Sequence, residues 1–401
     1  MMFNFIFFIF LFIFVINLKT VFFSFPIFYF FAPIGLFLFL KDFYTSKFFL
    51  DKKILTFFSI ISLSIIIFFV SFLINQNGDM LFIRQIYLYT IISFFYTFFI
   101  IKLFLINKKN DFDKLVLFFI TAVFIQLFIS FVLFMSSSLF NTFFSIFDTA
   151  IGYASADTVD KFNEQRMIAI GNPFFGSAII NCFTLVLLAA HFKFSKYKNK
   201  LIILWVFIAI LGIAAARTTI FGIALSLIIL LKDYKSSYRY LLTVLIALLV
   251  FLNFAYFTNE RIQTIVDFSF SFVFDFKNSQ ASDSASELLN MWNILPNKLS
   301  TWIVGDNFFM DQNGYYYKGI DVGYTRIIFA NGILGLIVFL LMQVYLLYNI
   351  RFKRSILSLS ALLVVIIFLN FKGLSNLTPL ILIFFMYSRL NSVNYGKVGR
   401  L

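Results

Sequence analysis

The sequence is poor in charged residues. Only 12% of its 401 residues are Asp, Glu, Lys or Arg, whereas a soluble domain carries about 25%. Hydrophobic residues make up 62% of the chain and aromatic residues 22%. No ten-residue alternation of polar and apolar positions, the pattern of an outer-membrane barrel, runs through it. We therefore expect an all-α polytopic membrane protein, since helices are the remaining way to span a bilayer.

Cysteine and histidine are nearly absent. Cys182 and His191 are each the only residue of their type, so we expect no intrachain disulfide and no His-ligated metal site. The glycine-rich phosphate loop of nucleotide hydrolases is missing too, which argues against a soluble nucleotide as ligand. The net charge of +14 comes from short basic clusters between apolar runs, a pattern typical of topology signals and not of nucleic-acid binding. No metal, cofactor or nucleic acid is expected.

Long apolar runs define the expected architecture. A spanning helix needs about 17 to 25 predominantly apolar residues. Twelve runs of about this kind lie near 2–18, 20–40, 54–75, 85–106, 115–136, 173–191, 200–216, 218–231, 240–257, 320–348, 355–371 and 373–388. The sequence therefore predicts one integral membrane domain over 1–401 with about twelve transmembrane helices.

Clusters of Lys and Arg set the expected orientation, because basic residues favour the cytoplasmic side. With both termini in the cytoplasm, roughly two thirds of the 32 basic residues fall on that side and most of the 18 acidic residues on the other. Two long loops, 137–172 and 258–319, then lie outside the cytoplasm. Loops of this length are usually functional or disordered. The run 288–295 predicts a short helix within the second loop.

The apolar stretch between Lys200 and Lys232 contains Arg217, Thr218 and Thr219 at its middle. A single helix would place the two lysines on opposite faces of the membrane, whereas a hairpin keeps both inside. Each hairpin arm has about fifteen residues, or roughly 22 Å, against about 30 Å of hydrocarbon. We therefore favour a hairpin with Arg217 recessed below the outer surface.

Three arginines lie at or near predicted helix ends: Arg166, Arg217 and Arg326. An arginine within the apolar region costs at least about 2.5 kcal/mol and usually faces the bundle interior or a wet cavity. The guanidinium fork matches phosphate oxygens, so converging arginines would suit a lipid-linked diphosphate. A snorkelling or ion-paired structural arginine is the alternative for each.

Four carboxylates in or just after the second loop are acid–base candidates: Glu287, Asp306, Asp311 and Asp321. Activation of a sugar hydroxyl needs a proton acceptor within hydrogen-bond reach. We expect Asp306 and Asp311 to be solvated. Asp321 leads into a helix and Glu287 opens a short amphipathic segment, which makes these two the better candidates.

Aromatic residues of the second loop could stack on sugar faces. Trp292, Trp302 and Tyr315 to Tyr317 are explained more simply as an interfacial aromatic belt. Tyr324 is the preferred candidate because it shares a turn with Asp321 and Arg326.

Several short motifs share an order along the chain: Arg166 with Gly171-Asn172-Pro173, Arg217 after a small-residue run, Glu287, Gly305, Asp321 to Tyr324, and Gly332 to Gly335. This arrangement resembles that of O-antigen polymerases, which belong with O-antigen ligases to a superfamily of polytopic glycosyltransferases. Ligases of the superfamily show a His-Asn pair in the second outer loop, where this chain has no histidine, so the polymerase is favoured over the ligase.

The resemblance implies a GT-C-like architecture in the bacterial inner membrane with an active site facing the periplasm. It implies transfer of a growing polysaccharide from undecaprenyl diphosphate to the non-reducing-end sugar of an incoming lipid-linked repeat unit, without a metal. A chain-length regulator of the same pathway is the expected protein partner. The candidate catalytic residues are Arg217, Arg326, Asp321 and Glu287, and the candidate substrate-binding residues are Arg166, Asn172, Thr218 and Tyr324.

A flippase or transporter of lipid-linked sugars is the rival from another functional class. Such proteins also have about twelve helices, but they more often carry ionisable residues in the middle of helices. The predicted helices here are nearly free of charge, which counts against ion coupling.

Overall fold

The computed structural model describes residues 2–23, 25–45, 51–147, 166–233, 256–257, 259–274, 287–312, 314–350 and 356–396. Within these residues the chain is helical, and its only extended pairings are isolated bridges. Seven helices among the described residues are long and apolar enough to cross a membrane, judged by length and composition. The all-helical, membrane-protein class is thereby supported. The number of twelve spans and the GT-C-like architecture stay predictions.

The helices overlap every predicted apolar run except 240–257, which lies almost wholly outside the described residues. A 3₁₀ turn at Ile27–Phe31 precedes the second helix, and a π turn at Ile83–Leu88 precedes the fourth. In chain order the helices are α1 (Met2–Ile16), α2 (Ala32–Tyr44), α3 (Lys52–Asn75), α4 (Tyr89–Leu105), α5 (Phe112–Met135), α6 (Ser137–Phe144), α7 (Phe175–Phe192), α8 (Lys198–Ala215), α9 (Thr219–Asp233), α10 (Glu260–Phe274), α11 (Leu299–Val304), α12 (Gly323–Tyr348), α13 (Ile356–Lys372) and α14 (Thr378–Gly396).

Two compact units make up the chain. Unit 1 comprises Met1–Phe30, Ile106–Asn278 and Lys353–Val365, and unit 2 comprises Phe31–Leu105, Ser279–Phe352 and Ile366–Leu401. The sequence predicted a single domain and offered no sign of this division.

Unit 1 is centred on α7, which packs against α5, α8 and α9. Several of its buried polar side chains are hydrogen-bonded within the helix bundle, which lowers the cost of burial in an apolar environment. The Trp205 indole N–H of α8 donates to the Ser226 hydroxyl of α9 at 2.9 Å. The Asn181 amide donates to the Ser177 hydroxyl at 3.1 Å. Cys182 is buried.

The predicted break at Arg217 is confirmed. α8 ends at Ala215 and α9 begins at Thr219, and the Thr219 hydroxyl donates back to the Gly212 carbonyl at 2.9 Å. The two helices have 18 and 15 residues. The single long helix weighed against the hairpin is therefore absent.

Unit 2 is built from α3, α4, α12 and α14, with α2 against α4 and α11 against α12. Asp51 caps the first turn of α3 by accepting from the Lys53 N–H at 3.1 Å. The buried Arg389 of α14 donates to the same Asp51 carboxylate at 3.1 Å and to the Asn349 carbonyl at 2.9 Å. A buried charge is thus both paired and hydrogen-bonded.

α12 is broken near its middle. Gly332 has φ 68° and ψ −175°, values that no helix contains. A Cβ atom at this position would lie 2.1 Å from the Ile303 carbonyl oxygen of α11. The break therefore lets the backbones of α11 and α12 approach more closely than a side chain would permit. The sequence had predicted 320–348 as one continuous apolar helix.

The segments predicted as loops carry helices of their own. α6 lies in 137–172, while α10, a helix at 287–292 and α11 lie in 258–319. The helix at 287–292 confirms the short helix predicted near 288–295. Residues 148–165 and 275–286 fall outside the described residues.

Candidate functional site

The eight predicted site residues divide equally between the two units, and each group is described within its own unit. Unit 1 holds Arg166, Asn172, Arg217 and Thr218, and unit 2 holds Glu287, Asp321, Tyr324 and Arg326.

Arg217 and Thr218 form the turn between α8 and α9. The Arg217 Nε–H donates to the Phe268 carbonyl of α10 at 2.9 Å, and the guanidinium lies 4.0 Å from the centre of the Phe268 ring. Thr218 begins the next helix, because its carbonyl accepts from the Phe221 N–H at 3.1 Å. Among the described carboxylates, none forms an ion pair with Arg217.

Arg166 shares the Phe268 ring with Arg217. Its guanidinium lies 3.7 Å from the centre of the Phe174 ring and 5.7 Å from the centre of the Phe268 ring. Of the three arginines whose convergence would suit a diphosphate, Arg166 and Arg217 both lie near the Phe268 ring within unit 1.

The electrostatics of this arginine pair favour an anionic ligand. Burial, with the nearby Arg217 charge as the second cause, lowers the pKa of Arg166 to about 10. Burial also lowers the pKa of Arg217. An arginine side chain stays protonated at neutral pH, so two partly desolvated like charges lie 5.7 and 4.0 Å from the centre of one aromatic ring. An anion bound to them would offset both the repulsion and the lost hydration.

The segment that carries Arg166 is anchored to α5. The Gln126 amide donates to the Ile170 carbonyl at 2.7 Å, and the Ile170 N–H donates to the Ser130 hydroxyl at 3.0 Å. All three residues are buried. Polar side chains of α5 therefore hold the backbone that follows Arg166 in one place.

Asn172 anchors the same segment to α1. Its amide donates to the Ile16 carbonyl at 2.8 Å, an acceptor that the end of a helix leaves unpaired. Gly171, at φ 73°, lies so close that a Cβ atom would be 1.9 Å from the Ile16 oxygen. This geometry explains the Gly-Asn pair structurally, and the substrate contact predicted for Asn172 stays a prediction.

In unit 2, Asp321 and Arg326 meet at the start of α12. Arg326 Nη1 lies 3.7 Å from Asp321 Oδ1. The guanidinium is 3.8 Å from the centre of the Tyr316 ring and 4.2 Å from that of Phe309. Arg326 is 8% exposed, so it has the surroundings of an ion-paired, stacked arginine, the structural alternative that the sequence left open.

Asp321 keeps some proton affinity despite its cationic neighbours. Burial raises the pKa of its carboxyl group more than the charges of Arg326 and Lys372 lower it. The side chain is still 49% exposed. A carboxylate with these properties can accept a proton from a bound hydroxyl group.

Tyr324 and Glu287 occupy less specific positions. The Tyr324 hydroxyl donates to the Ile367 carbonyl at 2.8 Å, and its ring lies 5.0 Å from that of Phe371 and 6.3 Å from that of Trp292. Tyr324 therefore packs in an aromatic cluster. Glu287 is exposed at the start of the helix at 287–292.

Asp306 was expected to be solvated, and the structure instead places it at the centre of a polar cluster. Its Oδ1 accepts from the Thr301 hydroxyl at 2.5 Å, and its Oδ2 accepts from the Tyr317 hydroxyl at 3.3 Å. The Lys318 ammonium lies 3.9 Å from Oδ2. Burial, and secondarily the Asp306 charge, raises the pKa of Tyr317 to about 12. The other carboxylate expected to be solvated, Asp311, is exposed.

Asp79 is a second residue that the sequence did not single out. Its Oδ2 accepts from the N–H groups of Phe309 and Met310 at 2.7 and 3.0 Å, and its Oδ1 accepts from the Leu81 N–H at 2.9 Å. The Asn75 amide donates to the Gly305 carbonyl at 2.9 Å. The end of α3 thus holds the backbone on both sides of Asp306.

The Asn75–Gly305 and Asp79–Phe309 contacts each join residues 230 positions apart in the chain. The polar run at the end of the α3 segment and the Gly-Asp-Asn at 305–307 were the available signals. A single sequence does not reveal that they pair.

A cavity opens beside Asp306. Its volume is about 360 Å³, within the range of small-molecule sites. The residues that line it all belong to unit 2, and they are Asn75, Asn77, Asn297, Lys298, Thr301, Asp306, Phe308, Tyr317 and Lys318.

His191 also has a partner that the sequence did not predict. Its Nε2 lies 2.8 Å from Asp113 Oδ1, which also accepts from the Ser195 hydroxyl at 2.6 Å. Over the described ranges, no group of three or more His, Cys, Asp or Glu residues is placed to hold a metal ion. The expected absence of a metal stays a prediction.

No protein-family model, curated protein or solved structure matches the chain. The resemblance to O-antigen polymerases therefore rests on the short motifs quoted from the sequence.

Proposed function

We propose that the chain is an O-antigen polymerase, a glycosyltransferase of the bacterial inner membrane with both termini in the cytoplasm. The observation that carries this proposal is the arginine pair around Phe268. Arg166 and Arg217 are partly buried, share one aromatic ring and lie in a unit made of apolar helices. Such a site suits a ligand that joins a phosphate charge to a hydrocarbon tail, as undecaprenyl diphosphate does.

The arginine pair acts on the leaving group in this proposal. The acceptor hydroxyl oxygen bonds to the anomeric carbon of the growing chain, and the bond from that carbon to the diphosphate oxygen breaks. Negative charge then develops on the diphosphate. Fixed guanidinium groups stabilise that charge in the transition state without moving.

The acceptor hydroxyl loses its proton to a carboxylate in this scheme. Asp321 is the preferred acceptor because burial raises the pKa of its carboxyl group and half of its side chain is exposed. Glu287 is the second candidate. Arg326 neutralises Asp321 and holds its carboxylate in place.

The remaining assignments follow from this function. The site faces the periplasm, the substrates are undecaprenyl-diphosphate-linked oligosaccharide and polysaccharide, and a chain-length regulator of the pathway is the protein partner. No metal takes part.

Arg217→Ala tests the proposal. Loss of one charge-stabilising donor lowers turnover by about 100-fold to 1000-fold, so we expect lipopolysaccharide with single repeat units and no ladder of long chains. Arg217→Lys keeps the charge without the fork and should give a shortened ladder. Electrophoresis of lipopolysaccharide from the complemented deletion strain is the measurement.

Arg84→Ala is the matched control, because Arg84 is an exposed arginine in unit 2. It should leave the ladder unchanged. A normal ladder from a well-expressed Arg217→Ala variant would contradict the polymerase. Loss of the core-linked unit itself in the deletion strain would favour the O-antigen ligase.

One observation favours a second candidate, a lipid-linked oligosaccharide flippase. α12 is discontinuous at Gly332, and the polar side chain of Asn331 beside the break is fully buried. Broken helices of this kind form substrate sites in transporters. A deletion strain of a flippase exports no repeat unit, whereas a deletion strain of a polymerase exports one.

A further inference from the structure

We propose that the cavity beside Asp306 is a saccharide-binding site that accommodates one or two sugar rings. The nine residues that line it are those given above for unit 2, and we refer to it as the Asp306 cavity. The description of this sugar as the acceptor of the transfer reaction rests on the proposed function. The binding of a sugar does not.

The floor of the cavity is rigid. Thr301 is 4% exposed and donates to Asp306, whose backbone N–H donates in turn to the Phe329 carbonyl at 2.6 Å. The Asn75 amide is tied to Gly305 at 2.9 Å. These contacts fix the polar groups before any ligand arrives, which lowers the entropic cost of binding.

One wall of the cavity is aromatic. The Phe308 and Tyr317 rings stack with their centres 5.3 Å apart at an angle of 19°. Phe329 supports Tyr317 from the side, with ring centres 5.7 Å apart at 73°. Phe308 and Tyr317 are half-buried and both line the cavity, so aromatic surface lies next to fixed hydrogen-bonding groups. The apolar C–H face of a sugar ring fits such a surface, and its hydroxyls fit the polar floor.

The rim supplies adaptable polar groups. Asn77, Asn297, Lys298 and Lys318 are exposed around the opening. Amide groups both donate and accept hydrogen bonds, as vicinal sugar hydroxyls do.

The Asp306 carboxylate favours a sugar over an inorganic anion. Asp306 lines the cavity together with the exposed Lys298 and Lys318, and the Lys318 ammonium already lies 3.9 Å from its Oδ2. A phosphate in the same space would meet a like charge in a partly desolvated site, which is unfavourable. Sugar hydroxyls donate to a carboxylate, and such charge-assisted bonds are the stronger kind.

The test is saturation-transfer NMR on the full chain in nanodiscs. Maltoside detergents are unsuitable because their sugar head groups would compete for the site. The probes are galactose, N-acetylglucosamine and glucuronate, each offered separately, with inorganic pyrophosphate as the anionic competitor. We expect saturation of at least one sugar and no displacement by pyrophosphate.

Three variants assign the signal to the Asp306 cavity. Asp306→Asn should weaken sugar binding about tenfold, since one charge-assisted hydrogen bond is lost. Asn77→Ala should weaken it a few-fold, and this exposed rim position cannot disturb the fold. Asp311→Asn, at an exposed carboxylate outside the cavity, should leave binding unchanged.

Absence of saturation for all three sugars overturns the proposal. Equal binding by the wild type and by both Asp306→Asn and Asn77→Ala overturns it too, as does displacement by pyrophosphate. Arg217→Ala separates the two proposals, because it should abolish the ladder and keep sugar binding. Sugar binding with a normal Arg217→Ala ladder contradicts the polymerase alone, and a lost ladder without sugar binding contradicts the saccharide site alone.

Discussion

At the residue scale, hydrogen-bond partners separate the carboxylates that sequence position had grouped together. Asp306 and Asp311 lie five positions apart in one polar segment, yet Asp306 is bound by two hydroxyls and Asp311 is exposed. The difference arises because α3 and α11 enclose the first and not the second. The chemistry of a loop carboxylate therefore depends on which helix end comes near it.

Asp79 offers a prediction at this scale. Asp79→Ala removes the acceptor of three backbone N–H groups, those of Leu81, Phe309 and Met310. Each N–H left unsatisfied in a partly buried site costs about 1 to 3 kcal/mol. We expect a clear fall in the unfolding temperature of the purified protein, measured by tryptophan fluorescence in nanodiscs.

Asp311→Ala is the control for this measurement. Its carboxylate accepts a hydrogen bond from the Tyr315 N–H at 2.8 Å. Asp311 is exposed, so water can replace the carboxylate as the acceptor. The unfolding temperature should change little. Equal stability of Asp79→Ala and the wild type would show that the segment 305–310 does not depend on α3.

At the element scale, local sequence rules located most helices and missed one break. Arg217 interrupts an apolar run with charge, so the end of α8 could be predicted. Gly332 interrupts a run of Ile, Leu and Phe in which glycine is also compatible with close helix packing. The tertiary contact with Ile303 sets its conformation, and that contact is invisible in one sequence.

Gly332→Ala tests the importance of the break. A Cβ atom would lie 2.1 Å from the Ile303 carbonyl oxygen, at a backbone conformation that only glycine adopts easily. We expect loss of several kcal/mol of unfolding free energy, seen as poor recovery of monodisperse protein and a lower unfolding temperature.

Gly319→Ala is the matched control, because it has the same φ of 68° and no atom within 4 Å of the added Cβ. It should cost only about 1 kcal/mol of backbone strain. The difference between the two variants combines the contact between α11 and α12 with the added backbone strain at the Gly332 ψ of −175°. Similar stabilities would mean that α11 is free to move away.

At the scale of the whole molecule, composition predicted the structural class of the protein but did not predict all the residues of the candidate site. The scarcity of charge and the long apolar runs indicated a helical membrane protein. The division into two units, and the assembly of the Asp306 cavity from α3, α11 and residues 306–318, depend on pairings far apart in the chain. Neither hydrophobic periodicity nor short sequence motifs predict contacts between segments so far apart in the chain.

The predicted orientation can be tested by cysteine labelling. Cys182→Ala removes the only native thiol. On that background, Leu299→Cys, at a position 75% exposed, should react with a membrane-impermeant maleimide in spheroplasts. Ile106→Cys and Tyr44→Cys, at positions 55% and 90% exposed, should react only after permeabilisation. The reverse pattern would contradict cytoplasmic termini.

The link between the end of α3 and the segment around Asp306 has a consequence for biogenesis. Asn75 and Asp79 emerge from the ribosome about 230 residues before Gly305 and Phe309. At ordinary synthesis rates that interval lasts roughly 10 to 50 s. During this time the Asn75 amide and the Asp79 carboxylate of the nascent chain must form hydrogen bonds with water, lipid head groups or a chaperone. We infer that unit 2 becomes protease-resistant late in synthesis, only after its distant half has been translated.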